Sequence, residues 1–147
     1  MDHVKEARAL FCSGYNCAQA VFTAFRDEMG LDKETCLKLS SSFGGGMGRM
    51  RETCGAVTGM FMVAGYLWGY SDISDKSVIT EHYARIQKLA ADFKEKFGTI
   101  CCRELLAGIK TTPGAKPTPR DEKFYKERPC TVFVEYAAEL LENMIKN

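Results

Sequence analysis

From Thr53 to Ser71 the chain carries no charged residue, and glycines recur at positions 55, 59, 65 and 69. Few folds accommodate such a run. It is nearly long enough to span a bilayer, and the pairs Gly55/Gly59 and Gly65/Gly69 have the spacing of a membrane-helix contact. Thr53, Thr58 and the four glycines dilute its apolar character, however, and the remaining segments are amphipathic and need something to pack on. The run therefore predicts a buried central helix, one side of which is nearly free of side chains. A backbone or a cofactor can approach that side closely. Cys54 opens it.

The other segments read as helices around this one. Val4, Ala7, Leu10 and Phe11 recur at helical spacing over residues 3–11. Asn16 and Gln19 form a capping-box pattern for a helix bearing Cys17, Val21, Ala24 and Phe25, closed by Gly30. Asp32 caps the next, about 33–42. A long helix follows Asp75, with Val78, Ile79, His82, Ile86, Leu89, Phe93 and Phe97 on its stripe and Gly98 at its end. Thr99 precedes a short helix containing Cys102, Leu105, Leu106 and Ile109. Residues 111–119 hold three prolines and a glycine and read as an irregular loop. Pro129 starts the last helix. No segment alternates with period two for long enough to form a strand. The expectation is an all-α, single-domain helical bundle over residues 1–147, of a length that can bury a core.

A net charge of +1 offers no electrostatic reason to expect nucleic acid or an acidic membrane surface. No apolar segment follows a basic start, so the cytoplasm is the expected compartment, without membrane insertion. Seven cysteines then stand out. An odd count cannot pair completely, and in a reducing compartment it favours metal, redox or catalytic use over a disulfide framework. No CxxC pair is present, which removes thioredoxin-like motifs and zinc knuckles.

Four of the seven share a position. Cys17, Cys54, Cys102 and Cys130 each fall in the first turn of an expected helix, where unpaired N–H groups and the helix dipole favour a thiolate. Antiparallel alternation of the helices, with the long loop before Cys130, predicts that all four lie at one end of the bundle. Cys36, in mid-helix, reads as a core hydrophobe and Cys12 as packing; Cys101 is a spare or resolving thiol beside Cys102.

With these residues in view, the chain resembles the C_GCAxxG_C_C family. Cys54-Gly55-Ala56-Val57-Thr58-Gly59 looks like its CGAxxG signature, and the order Cys17, Cys54, Cys102, Cys130 matches its four cysteines. The run Gly14–Val21 and Cys102-Arg103-Glu104-Leu105 are also typical. The resemblance covers essentially the whole chain. It implies redox activity through the four cysteines, with Cys102 rather than Cys101 in the third place. Similar domains occur in split-Soret cytochromes, where a cysteine cluster is associated with iron–sulfur binding beside haem. The absence of CxxCH here means that covalent haem is not carried over.

Three functions follow as expectations. One is electron transfer through a thiolate-bound iron–sulfur cluster or zinc, with Cys17, Cys54, Cys102 and Cys130 as ligands and Gly55 and Gly59 leaving room. The second is cofactor-free thiol–disulfide chemistry at the same cysteines. The third is a non-catalytic helical module that binds a partner. A redox partner protein and a homo-oligomer are compatible with these. The Gly44–Gly48 loop beside Arg49 and Arg51 has the makings of an anion-binding nest, but it matches no phosphate-loop motif and reads as a flexible turn. His82 reads as a satisfied core histidine, and His3 as solvated.

Overall fold

The computed structural model describes residues 1–147. Nine α-helices follow one another: α1 His3–Cys12, α2 Cys17–Ala24, α3 Arg26–Met29, α4 Lys33–Ser40, α5 Gly55–Trp68, α6 Lys76–Phe97, α7 Cys102–Leu105, α8 Glu122–Glu127 and α9 Cys130–Lys146. A 3-10 turn, Ser41–Phe43, extends α4. There is no sheet; the one β-bridge joins Thr53 to Cys101. The fold is all-α, as the periodicities predict.

Side-chain caps set most helix starts. Asn16 accepts from Gln19 N at 2.9 Å while Gln19 accepts from Asn16 N at 3.0 Å, a reciprocal cap that satisfies two otherwise orphaned donors. Asp2, Asp32, Asp75 and Asp121 each accept a backbone N–H of the first turn of α1, α4, α6 and α8. Gly30 and Gly98 end α3 and α6 in the left-handed conformation.

Two helices share the centre, where the sequence pointed to one. In α2, Ala18 and every residue from Ala20 to Ala24 are buried, and α1, α4, α5 and α9 all pack on it. Helix α5 is buried from Gly55 to Met60 and at Val63 and Ala64, then emerges at Gly65 and Tyr66. Its bare face is used for helix packing. A Cβ on Gly59 would stand 2.8 Å from Ala18 O and 3.1 Å from Val21 Cβ; one on Gly55 would stand 3.0 Å from Phe43 O and 3.1 Å from Cys17 Cβ. The close approach is therefore that of α2, and at Gly59 no room is left over for a cofactor.

Three further expectations are revised. The helix expected to run from Cys17 to Gly30 breaks at Phe25 (φ −101°, ψ 16°), where Arg26 Nη1 takes the carbonyl of Thr23 at 2.9 Å. The long loop contains α8, because Asp121 caps it after the prolines have ended. His3 is buried: it stacks on Phe25 with ring centroids 4.2 Å apart and lies 2.9 Å from Asp27 Oδ1 and 3.0 Å from Glu142 Oε1. His82 is a core histidine, with Nδ1 accepting from Arg85 at 3.1 Å; burial, then Arg85, lowers its pKa and keeps it neutral. No helix is long and apolar enough to cross a membrane.

Candidate functional site

Cys17 and Cys130 are the first residues of α2 and α9; Cys54 is the N-cap of α5, and Cys102 opens α7. The β-bridge holds the last two side by side. Cys54 N donates to Ile100 O at 2.7 Å, Cys102 N to Glu52 O at 2.6 Å, and Arg103 N to Arg51 O at 3.1 Å. A tight α2–α5 contact at Gly55 brings Cys17 against the same end. All four cysteines line one cavity of about 430 Å³ where the starts of these helices meet.

The glycine loop forms one wall, and it is a structured turn. Gly45, Gly46, Met47, Gly48 and Arg49 all have positive φ, between 57° and 72°, so the backbone winds one left-handed turn. Bonds from Met47 N to Phe43 O, Arg49 N to Gly44 O and Glu52 N to Gly46 O tie it down at 3.2, 3.0 and 2.8 Å. Met47, Arg49 and Arg51 pay a left-handed penalty of about 1–2 kcal/mol each, strain of the kind that collects at functional sites. Gly46 presses on the cysteine site, since a Cβ there would stand 2.6 Å from Cys102 Cβ. Arg49 ties the turn to the proline loop, donating to Gly114 O at 2.6 Å, to Thr112 O at 3.3 Å and to the hydroxyls of Thr112 and Thr118 at 3.1 and 3.0 Å.

Four arginines face the cavity, Arg49, Arg51, Arg120 and Arg128, and no aspartate or glutamate does. The arginines that form ion pairs elsewhere are Arg26, Arg85 and Arg103; none of the cavity arginines is among them. Arg120 is fixed by bonds to Phe11 O and Tyr15 O, both 3.0 Å, and lies over the rings of Phe11 and Phe124. Arg128 covers the Phe124 ring at 4.9 Å.

These charges act unequally on the sulfurs. Cys17 donates to Cys130, and that hydrogen bond, with Arg128, Arg120 and Arg51 acting against burial, brings Cys130 down to about 7. The same bond, with burial, holds Cys17 well up as a thiol. Burial pushes Cys54 to about 12 although the N–H groups of Val57 and Ala56 favour its thiolate. Burial also raises Cys102, against the nearby Arg51 guanidinium. A helix start thus does not make four thiolates here: desolvation leads at Cys54 and Cys102, and at Cys17 the interaction with Cys130 leads, with burial behind it.

The other cysteines lie apart from this arrangement. Cys101 donates its S–H to Arg51 O at 3.6 Å, Cys36 is fully buried in the core, and Cys12 is exposed. All seven are free thiols. Of the arginines, the sequence points to Arg49 and Arg51 beside the glycine loop; Arg128 and Arg120 escaped it, though Arg128 carries a local signal, two residues before Cys130. Arg120, in the loop, carries none.

The donor set can hold a metal, and the sulfur spacing bears on which. Three potential ligand atoms lie within 4.8 Å of one another at His3, Asp27 and Glu28, but at no trio of cysteines. Four thiolates on one tetrahedral zinc, with bonds of about 2.3 Å, would stand about 3.8 Å apart. No three of the cysteine sulfurs come that close together.

A family model described as "Putative redox-active protein (C_GCAxxG_C_C)" matches residues 15–144. No curated protein and no solved structure matches the chain.

Proposed function

The chain belongs to the C_GCAxxG_C_C family, and on that premise we propose that it transfers electrons through an iron–sulfur cluster held by Cys17, Cys54, Cys102 and Cys130. The observation that carries the reading is the convergence of four cysteines from four helix starts on one cavity whose only charged side chains are arginines. Thiolate ligands and their cluster are anionic; Arg51, Arg120 and Arg128, half-buried around the cavity, would offset that charge. The cluster would supply one-electron transfer at a potential set by this surrounding charge. Gly55 belongs to the cavity wall and Gly59 to the α2 contact that sets the wall's position. The proposed partner is a redox protein and the proposed compartment the reducing cytoplasm, where an odd number of cysteines, seven, stays reduced.

A second reading rests on Cys17 and Cys130 sharing the cavity at the starts of α2 and α9, with Cys17 and the arginines favouring the Cys130 thiolate. The Cys130 thiolate would attack a disulfide of a partner. Cys17, losing its proton, would then resolve the mixed disulfide, leaving Cys17–Cys130 oxidised and the partner carrying two thiols.

Iron and acid-labile sulfide, measured on anaerobically prepared protein together with its electron paramagnetic resonance after reduction, test the first reading. Iron and sulfide in cluster ratio, lost in Cys54→Ser, support it. Metal-free protein that loses two thiols reversibly, with Cys17 and Cys130 crosslinked, replaces it with the second. Neither result leaves a helical module without redox chemistry, and both readings fall.

A further inference from the structure

We propose that the cavity binds a small oxyanion next to Cys102 and Cys130, with Arg51 and Arg128 as its anchors. The argument begins with charge. Four guanidinium groups face a space with no carboxylate. The side chains that line the cavity therefore give it a cationic character that no acidic residue of the chain offsets there.

Two donors are also left without protein oxygen partners. Arg51 Nη2 is buried and makes no hydrogen bond. Gly46 is buried on the cavity wall, and its N–H bonds to no acceptor. Buried donors of both kinds are nearly always paired. The left-handed turn at Gly45–Arg49 is what brings Gly46 and Arg51 to the same wall, at Cys102: the Cα of Arg51 is 2.8 Å from where a Gly46 Cβ would be. Arg128 stands free of any carboxylate and acts on both Cys102 and Cys130. A planar guanidinium fork binds carboxylate, sulfate or phosphate oxygens two at a time, and a volume of about 430 Å³ admits a small molecule. The anion would sit where the thiol chemistry occurs, so this is the substrate side of the proposed redox site; the binding itself requires no metal.

The test uses the full chain, reduced and metal-free. Sulfate, phosphate and acetate are titrated against chloride at constant ionic strength, following the melting temperature and the rate at which neutral iodoacetamide modifies Cys102 and Cys130. At least one of the three should raise the melting temperature and slow modification of both cysteines, saturably; which one does so tells tetrahedral from planar oxyanions. Arg51→Met and Arg128→Met should each weaken this by about tenfold or more, the loss expected for one charge-assisted hydrogen bond. Arg51→Lys should recover part of it, and Arg8→Met, on the exposed face of α1, should change nothing. Circular dichroism confirms that each variant is folded; if Arg51→Met is not, Arg128→Met and Arg51→Lys decide. No protection beyond that of chloride, or equal protection in the folded arginine variants, overturns the inference. Iron content is scored separately. Anion binding without iron leaves this inference standing alone, and iron without anion binding removes only this inference.

Discussion

The sharpest consequence of the site is a proton shared between two sulfurs. Replacing Cys17 by alanine removes the donor that holds Cys130 ionised. A hydrogen bond to a charged group contributes about 1.5–3 kcal/mol, and about 1.4 kcal/mol corresponds to one pKa unit. The Cys130 midpoint, about 7 in the native protein, should therefore rise by about one to two units in Cys17→Ala. Arg128, Arg120 and Arg51 remain and limit the rise. Cys17→Ser keeps a hydroxyl donor and should stay within about half a unit of native.

The assay must read the midpoint rather than the rate at one pH. At pH 7 a thiol of pKa about 7 is half ionised, whereas an ordinary one near 8.5 is about 3% ionised, an advantage of roughly fifteenfold. Nucleophilicity falls with pKa, with a slope of about 0.4–0.5, which takes back about fivefold. A net factor of about three would be lost among effects of access. The pH profile of iodoacetamide modification, read by mass spectrometry for the Cys130 peptide between pH 5.5 and 10, separates the two cases. A native midpoint near 8.5, or one unmoved by Cys17→Ala, would refute the thiol–thiolate pair. The same pair has a stability signature. Because the Cys130 pKa is lowered on folding, its contribution is present above the ordinary thiol range and is lost as pH falls through about 7; Cys17→Ala should flatten that part of the stability profile.

Other perturbations reach the framework around the site. Gly59→Ala puts a methyl group 2.8 Å from Ala18 O and should destabilise by about 1–3 kcal/mol through overpacking, less up to about 1 kcal/mol of helix propensity. Gly65→Ala, in the same helix with nothing within 4 Å, should stabilise by about 0.5–1 kcal/mol; urea denaturation of the pair checks the opposite signs. Cys54, raised to about 12 by burial, resists ionisation only in the folded state, so its contribution is intact below the ordinary thiol pKa and is lost as pH rises toward 12. Native protein should therefore lose more stability than Cys54→Ala between pH 8.5 and 10.5 in urea titrations. Arg49→Met removes four hydrogen bonds to Thr112, Gly114 and Thr118 and should raise amide exchange across residues 112–118 while leaving α2 protected.

Local chemistry was legible where it was sufficient. The caps at Asn16, Asp32 and Asp75 and the stops at Gly30 and Gly98 need only neighbours in sequence, and they formed as expected, although the segment that Gly30 closes breaks at Phe25. What the pattern misassigned was decided between segments. The glycines of α5 read equally well as a cofactor face or a packing face, because the partner that decides, Ala18, lies in another helix. His3 looked solvated for its place near the amino end, yet Phe25, Asp27 and Glu142 enclose it. The pKa expectation failed for a related reason: the dipole at a helix start is a local quantity, whereas desolvation depends on what the rest of the chain stacks over the sulfur.

The arginines show why the cavity asks for an anion at all. Burying a charge is costly unless it is matched, and a chain with +1 net charge has nearly as many acids as bases to match them with. Arg26 and Arg85, both half-buried, take that solution, pairing with Glu6 and Glu81. At the cysteine site four arginines meet without one acid, and part of the backbone that positions them is held in a strained left-handed turn. Arg49 and Arg120 spend donors on backbone and hydroxyl oxygens, but bonds to neutral oxygens do not cancel their charge. Negative charge brought by another route, as thiolate, as a thiolate-bound cluster or as a bound oxyanion, would match it. Each of those routes puts the same four cysteines within reach of the electron or the ligand that brings it.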